Sequence, residues 1–288
     1  MARTLSRAKA MNTYHRALTI AGSDSSGGAG IQADLKTFSA LGCYGLSVIT
    51  ALTAQNTQAV LDIHPVPSAF VASQLRAVLD DVGADAVKIG MLHSPEVIHT
   101  VATLLKQYEV GRIVVDPVMF SKGGDRLIQD PAVAALREVL VPLATVLTPN
   151  LPEAAELLRR SLKTRDHMDE ACRELLALGP RAVVIKGGHL DIGGSDDYLA
   201  FRNEQGEVAG EWLPGRREET RNVHGAGCTF ASAVAALLAR GHSPEDAVRQ
   251  AKEYIRAAIK AGAEYTLGKG QGPVAHFHQW WPRAESGS

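Results

Sequence analysis

Six short apolar runs, at 17–20, 46–52, 86–89, 112–115, 145–148 and 182–185, each give way to a polar or glycine-bearing turn. Most of these turns lead into a stretch whose apolar residues recur at the helical period. This alternation leaves few folds open. Strands that are apolar along their whole length bury both faces, so helices must cover the sheet on each side. The expected fold class is α/β, with a mostly parallel central sheet. The runs at 197–201 and 208–213, joined across the 203–206 turn, read as a hairpin that extends this sheet antiparallel.

Sheets of this kind bind ligands beyond the C-terminal ends of their strands. Gln55 follows the second run, Met91 the third, Asp116 the fourth, Asn150 the fifth and Lys186 the sixth. Gln55, Asp116, Asn150 and Lys186 are therefore expected on one rim. Asp116 also reads as an Asp turn before Pro117, and Glu153 as a helix-dipole partner in the first turn of the next helix. Side by side, the two carboxylates could place a metal ion and its waters. The polar 121–125 loop, SKGGD, could move over such a site.

The stretch NVHGAGCTFASAVAALLAR, at 222–240, carries the sharpest chemistry. Gly225, Ala226 and Gly227 lead into a helix whose apolar face is Phe230, Val234, Leu237 and Leu238, closed by Gly241. Bare amides at the positive end of a helix dipole form an anion site, suited to the charge on a transferred phosphoryl group. Cys228 stands in the first turn, where the dipole is expected to lower its thiol pKa. The plain alternative is a tight turn before a buried helix with an inert cysteine. Upstream, AGSDSSGGAG at 21–30 joins a strand to a helix, but it meets neither the dinucleotide GxGxxG spacing nor the P-loop pattern.

Composition removes other classes. The formal net charge is −1 and no basic stripe stands out, which argues against nucleic acid as a partner. No apolar run is long enough to span a bilayer. Cys43, Cys172 and Cys228 share no CxxC spacing, which fits a reducing, cytoplasmic compartment. The basic residues 1–16 read as a disordered extension, 17–282 as one domain and 283–288 as a disordered tail.

The motifs TIAGSDSSGGAGIQADLKTFSALGCYG, SVITALTAQNT, KIGML, VVDPVM, TPNLPEA, KGGH, HGAGCT and GPVAHFHQWW occur in one order along residues 17–282. In this the chain resembles the bacterial hydroxymethylpyrimidine/phosphomethylpyrimidine kinases of the ribokinase superfamily. The resemblance implies a three-layer α/β/α ribokinase-like fold, a homodimer, and the use of ATP and Mg²⁺. The implied substrate is 4-amino-5-hydroxymethyl-2-methylpyrimidine, phosphorylated first on its alcohol and then on the resulting monophosphate, in thiamine biosynthesis. By motif, Gln55 would bond the aminopyrimidine, Asp34 would face it, Gly22 would touch it through the backbone and Met91 would pack on the ring. Asn150 and Glu153 match an NxxE element that organises Mg²⁺ and its waters. Asp116 would lie near phosphates and metal, Lys186 near the nucleotide phosphates, and Gly225 to Cys228 would form the anion hole, with Cys228 as base.

Two positions depart from the family pattern. Ala226 stands where the anion loop usually has threonine, and Ser25 where proline is common, which would loosen the first loop. Two other readings compete. One is the same chemistry on pyridoxal-type alcohols, against which Gln55 weighs by offering both a donor and an acceptor. The other is a pyrimidine-binding domain without turnover.

Overall fold

Successive residues of the parallel strands divide between two cores, as a period of two requires. In the computed structural model, which describes residues 12–120, 126–162, 164–189, 194–203 and 205–282, the strands in question are β1 (Arg16–Ala21), β5 (Ala86–Ile89), β6 (Ile113–Val115), β7 (Val146–Leu147) and β8 (Ala182–Ile185). Leu18, Ile20, Val87, Ile89, Ile113, Val115, Val183 and Ile185 enter one core. It is completed by α2 (Ser68–Asp81), α3 (Pro95–Gln107), α4 (Asp130–Ala135), α5 (Leu151–Leu158) and α6 (His167–Leu176). Ala17, Ala86, Val114, Val146, Ala182 and Val184 point the other way, into a core shared with α1 (Gly30–Ala40), α7 (Ala226–Ala239) and α8 (Pro244–Gly262). The three-layer α/β/α arrangement follows.

Adding β2 (Tyr44–Ile49), β9 (Asp197–Arg202) and β10 (Val208–Leu213) gives an eight-stranded sheet in the order β10-β9-β8-β7-β6-β5-β1-β2. β9 and β10 are its antiparallel extension, as expected. The order reverses at β1, which pairs with β2 on one side and β5 on the other. A crevice opens beyond strand ends at such a switch point.

Four expectations change. The apolar run at 46–52 is not one strand. Thr50, buried, makes the last bond to β1, its amide donating to Ala21 O at 3.0 Å, while its hydroxyl donates to Met91 O at 2.8 Å and its carbonyl accepts from Val66 N at 3.0 Å. The chain then leaves the sheet as β3 (Ala51–Gln55), which pairs antiparallel with β4 (Val60–Pro65) in a separate two-stranded hairpin. Gln55 therefore belongs to this hairpin and not to the rim of the main sheet. Second, α7 is buried all round from Thr229 to Ala239, not along one face. Its alanines offer no bulky polar side, and it runs between the sheet, α1 and α8. Third, the unassigned stretch after residue 129 forms α4, a π-turn at Leu136–Leu140 and a 3-10 turn at Val141–Leu143. Fourth, Arg16 is not part of an extension. It opens β1, and its guanidinium bonds Asp85 at 2.6 Å. Residues 1–11, 121–125 and 283–288 lie outside the described residues, and with them the expectations placed there.

Candidate active site

The ends of β6, β7 and β8 bring three of the expected side chains, Asp116, Asn150 and Lys186, together. Asp116, buried, accepts from Lys186 Nζ at 2.9 Å and from Thr148 Oγ1 at 3.0 Å. Asn150 caps α5: its side-chain oxygen accepts from Glu153 N at 2.9 Å, while Glu153 Oε2 accepts from Asn150 N at 2.8 Å. This reciprocal capping box holds Glu153 in place, and the Met119 backbone adds a further bond to its carboxyl. Burial pushes the Glu153 carboxyl up to about 7, with Lys186 opposing and Asp116 adding to the rise. Lys186 pays its own desolvation, yet Asp116 and Glu153 raise its pKa above the ordinary lysine value, so it stays an ammonium.

The anion loop lies opposite these groups. Gly225 takes φ +75°, a left-handed conformation, and a Cβ there would collide with the Gly28 carbonyl. Glycine is thus required where this turn lies against the first loop. The first helical bond of α7 runs from Thr229 N to Gly225 O at 2.8 Å. Ala226 N is taken by Val223 O at 3.2 Å. The amides of Gly227 and Cys228 precede any intrahelical partner, and among the described residues no other acceptor takes them.

Cys228 does not behave as the helix dipole alone suggests. Burial pushes its thiol up to about 11, although Lys88 and the Gly30 amide pull the other way. Desolvation of the thiolate outweighs the favourable charges.

Asp34 is not where a substrate could reach it. Its carboxylate is fully buried and saturated: Lys88 Nζ donates at 2.9 and 3.0 Å, Thr19 Oγ1 at 2.6 Å and Ser232 Oγ at 2.6 Å. An acid on the first helix was expected to face the ligand. Instead its partner Lys88 lines the cavity, with its pKa raised by Asp34 despite full burial.

The cavity itself is about 1200 Å³ and is lined by Gly22, Gln55, Met91, Asp116, Asn150 and Lys186, together with Glu153 and the loop from Gly225 to Cys228. The hairpin carries Gln55 over the crevice until its Nε2 is 3.5 Å from Nε2 of His224. Met91 sits against Gly22, close enough that a Cβ at Gly22 would meet Met91 Cε at 2.7 Å. Far from loosening the first loop, the Ser25 hydroxyl donates to Gln55 O and accepts from Gln55 N, each at 2.8 Å.

Several lining residues had no assigned role from sequence. Asp24 and His224 form a buried pair at 2.7 Å. The signal for Asp24 was present in SDSSGG, since an Asp before small residues closes an Asx turn, here onto Ser26 N at 2.9 Å. Lys252 bonds Asp197 at 2.8 Å at the far end of the cavity. The tail after α8 contributes Gly270 and Gln271, through amide bonds to Thr57 Oγ1 at 3.1 Å and Thr57 O at 2.9 Å.

A parallel α/β/α sheet with an anion loop facing a lysine–carboxylate cluster defines a ribokinase-like small-molecule kinase. The family model described as phosphomethylpyrimidine kinase matches residues 24–275. The hydroxymethylpyrimidine/phosphomethylpyrimidine kinase of Escherichia coli K12 is 49% identical over 266 residues, 92% of this chain and 98% of that protein. Among solved structures, the ADP complex of Bacillus subtilis pyridoxal kinase is similar with TM-score 0.84 and 42% identity, covering 93% of this chain and 99% of that one. A phosphomethylpyrimidine kinase from Clostridium difficile is similar with TM-score 0.74 and 45% identity, covering 85% and 99%. The chain belongs to the phosphomethylpyrimidine kinase family.

Proposed function

We propose that this chain transfers the γ-phosphoryl group of ATP to the alcohol of 4-amino-5-hydroxymethyl-2-methylpyrimidine, and then a second phosphoryl group to the monophosphate, for thiamine biosynthesis. The observation that carries the reading is the shared cavity. Gln55, the donor–acceptor side chain suited to an aminopyrimidine, stands 3.5 Å from the residue that precedes the anion loop. A ring held there brings its CH₂OH toward amides that can receive a γ-phosphate.

The roles divide as follows. Gln55 orients the ring, Met91 packs on it and the Gly22 backbone approaches it closely. The amides of Gly227 and Cys228 stabilise charge on the moving phosphoryl group, and Lys186 neutralises the phosphates behind it. Asp116 holds Lys186, and Asn150 holds Glu153. Cys228 takes the alcohol proton in the first transfer as the thiolate, a minor fraction at neutral pH with the thiol pushed up to about 11, so the first transfer quickens as the pH rises. The monophosphate is already largely ionised, with a second pKa of about 6, and needs no such help. ATP supplies the phosphoryl group, and Mg²⁺ offsets its charge. Among the described residues no three metal-ligating side chains cluster. Asp116 and Glu153 nevertheless fit Mg²⁺, which binds through one or two carboxylates with phosphates and water. Assembly as a homodimer and a reducing, cytoplasmic setting belong to the same reading, the latter in keeping with three free cysteines.

An ADP-release panel tests the assignment, using the aminopyrimidine alcohol, its monophosphate and the three vitamin B6 alcohols. The expected order of kcat/KM puts both pyrimidines first. A higher value for pyridoxal would move the substrate to that class. Thermal stabilisation by the pyrimidine with no ADP released would leave a binding domain instead. Light scattering reads the homodimer.

A further inference from the structure

Two parts of the cavity must keep register if a ring held by Gln55 is to present its alcohol to the anion loop. The hairpin and the loop lie far apart in sequence, and neither is part of the central sheet. The link between them runs through the first loop. Ser23 N bonds Ala51 O at 2.9 Å, Thr53 Oγ1 bonds Ser23 O at 2.9 Å, and Ser25 clamps the Gln55 backbone at both its N–H and C=O. Between those serines, Asp24 is 1% exposed and accepts from Ser26 N, Ser26 Oγ, Gly28 N and Ala29 N at 2.7–3.1 Å. Its fifth donor is His224 Nε2 at 2.7 Å. Burial works against the Asp24 carboxylate, but these donors, His224 foremost, hold it well below the usual range.

His224 is thus the point at which the loop that clamps Gln55 is joined to Gly225. Its backbone N–H also bonds Gly272 O at 3.0 Å, and the same tail bonds the hairpin tip through Gln271 N to Thr57 O at 2.9 Å. Because Asp24 is ionised, His224 Nε2 carries the proton. The Gln55 amide nitrogen 3.5 Å away is therefore a second donor facing a donor, and it is not consumed by the histidine.

We propose that His224 is a positioning residue for phosphoryl transfer: its Nε2–H bond to Asp24 locks the hairpin bearing Gln55 to the anion loop. The proposal rests on the kinase reading above and adds a residue to it. His224 touches neither phosphate nor acceptor alcohol in this role. It fixes the distance between the groups that do.

The test compares His224→Phe, which keeps a ring and removes the donor, with His224→Gln, whose Nε2 can donate from nearly the same place. Rates are expressed per folded site, and amide exchange is followed over β3 and over the anion loop. His224→Phe is expected to lower kcat about 100-fold, the scale of an ångström of misplacement, with the KM for ATP little changed. Exchange at β3 should quicken. His224→Gln should recover most of kcat and slow that exchange. Adding Asp24→Asn to His224→Phe should cost little more kcat per folded site, since both remove one link. Near-parental kcat in His224→Phe would overturn the proposal. So would equal damage in His224→Gln, or losses that track melting temperature alone. If the parent chain turns over none of the panel substrates, the kinase reading fails, while the exchange measurement still reports whether the link exists.

Discussion

Lys88 Nζ lies 2.9 and 3.0 Å from the two carboxylate oxygens of Asp34, and neither side chain is exposed to solvent. The pair joins β5 to α1 beneath Cys228, with Thr19 and Ser232 completing the carboxylate shell. Removing one partner leaves the other charged and buried. Asp34→Asn should therefore cost about 3–5 kcal/mol of stability, measured by urea unfolding. The KM of the folded fraction for the pyrimidine should stay near the parental value. A raised KM with little stability loss would restore Asp34 to the substrate's surroundings.

Lys186 offers the opposite signature. Its ammonium, paired with buried Asp116 at the rim, is reached from the cavity, so its loss is read in turnover as well as in stability. Lys186→Met should lower kcat by about 10²–10³-fold, the scale of one lost donor to developing charge. Initial rates against ATP read this. Lys186→Arg should not restore full activity, because a planar fork cannot occupy the place of a point charge between Asp116 and Glu153. Full rescue would mean that charge alone is needed there.

Cys228 is the sharpest disagreement between local reasoning and the assembled site. With the thiol pushed up to about 11, little thiolate exists at neutral pH. Alkylation of Cys228 by iodoacetamide, followed by mass spectrometry, should climb about tenfold per pH unit through the neutral and alkaline range. A plateau reached below pH 8, roughly the value for a free thiol, would reverse this account. Cys228→Ala should still slow the first transfer more than the second, by up to about 10²–10⁴-fold, since only the alcohol must lose a proton. Equal losses in both transfers would remove the base role.

These contrasts trace what a linear reading can reach. The parallel strands were legible because burial on both faces writes an uninterrupted apolar run; in the structure Ser94, Asn150 and Ser243 cap α3, α5 and α8 by accepting from an amide of the next turn, an equally local signal. The polar residues at strand ends followed from the same logic. What escaped depends on partners distant in sequence. The apolar run breaks at Thr50 because the chain beyond it pairs with β4, further along the sequence, and Val66 N already bonds the Thr50 carbonyl. Asp34 turns inward because Lys88 and Ser232 wait there. Cys228 responds to desolvation by the whole cavity wall, and Asp24 meets His224 across 200 positions. Periodicity carries no trace of such pairings.

His276 gives a pH signature independent of catalysis. It lies in the tail under the first turn of α7, 5% exposed, with Nε2 3.1 Å from Thr229 Oγ1. Burial, helped by Lys36, lowers its pKa from 6.5 to about 4. In that interval the unfolded chain binds a proton that the folded one refuses, so folding stability falls as the pH falls. The contribution is complete above 6.5, drains away toward about 4 and is flat below it. The full span is worth ~3 kcal/mol, of which about 2 kcal/mol should be lost by about pH 5. His278, also lowered by burial, adds in the same direction. Urea unfolding of the parent and of His276→Asn at about pH 7.5 and about pH 5 separates the two histidines. The variant should be the less sensitive to acid, narrowing its stability gap to the parent as pH drops. Parallel curves would mean that His276 takes up its proton in the folded state, and that the tail opens to water beneath α7.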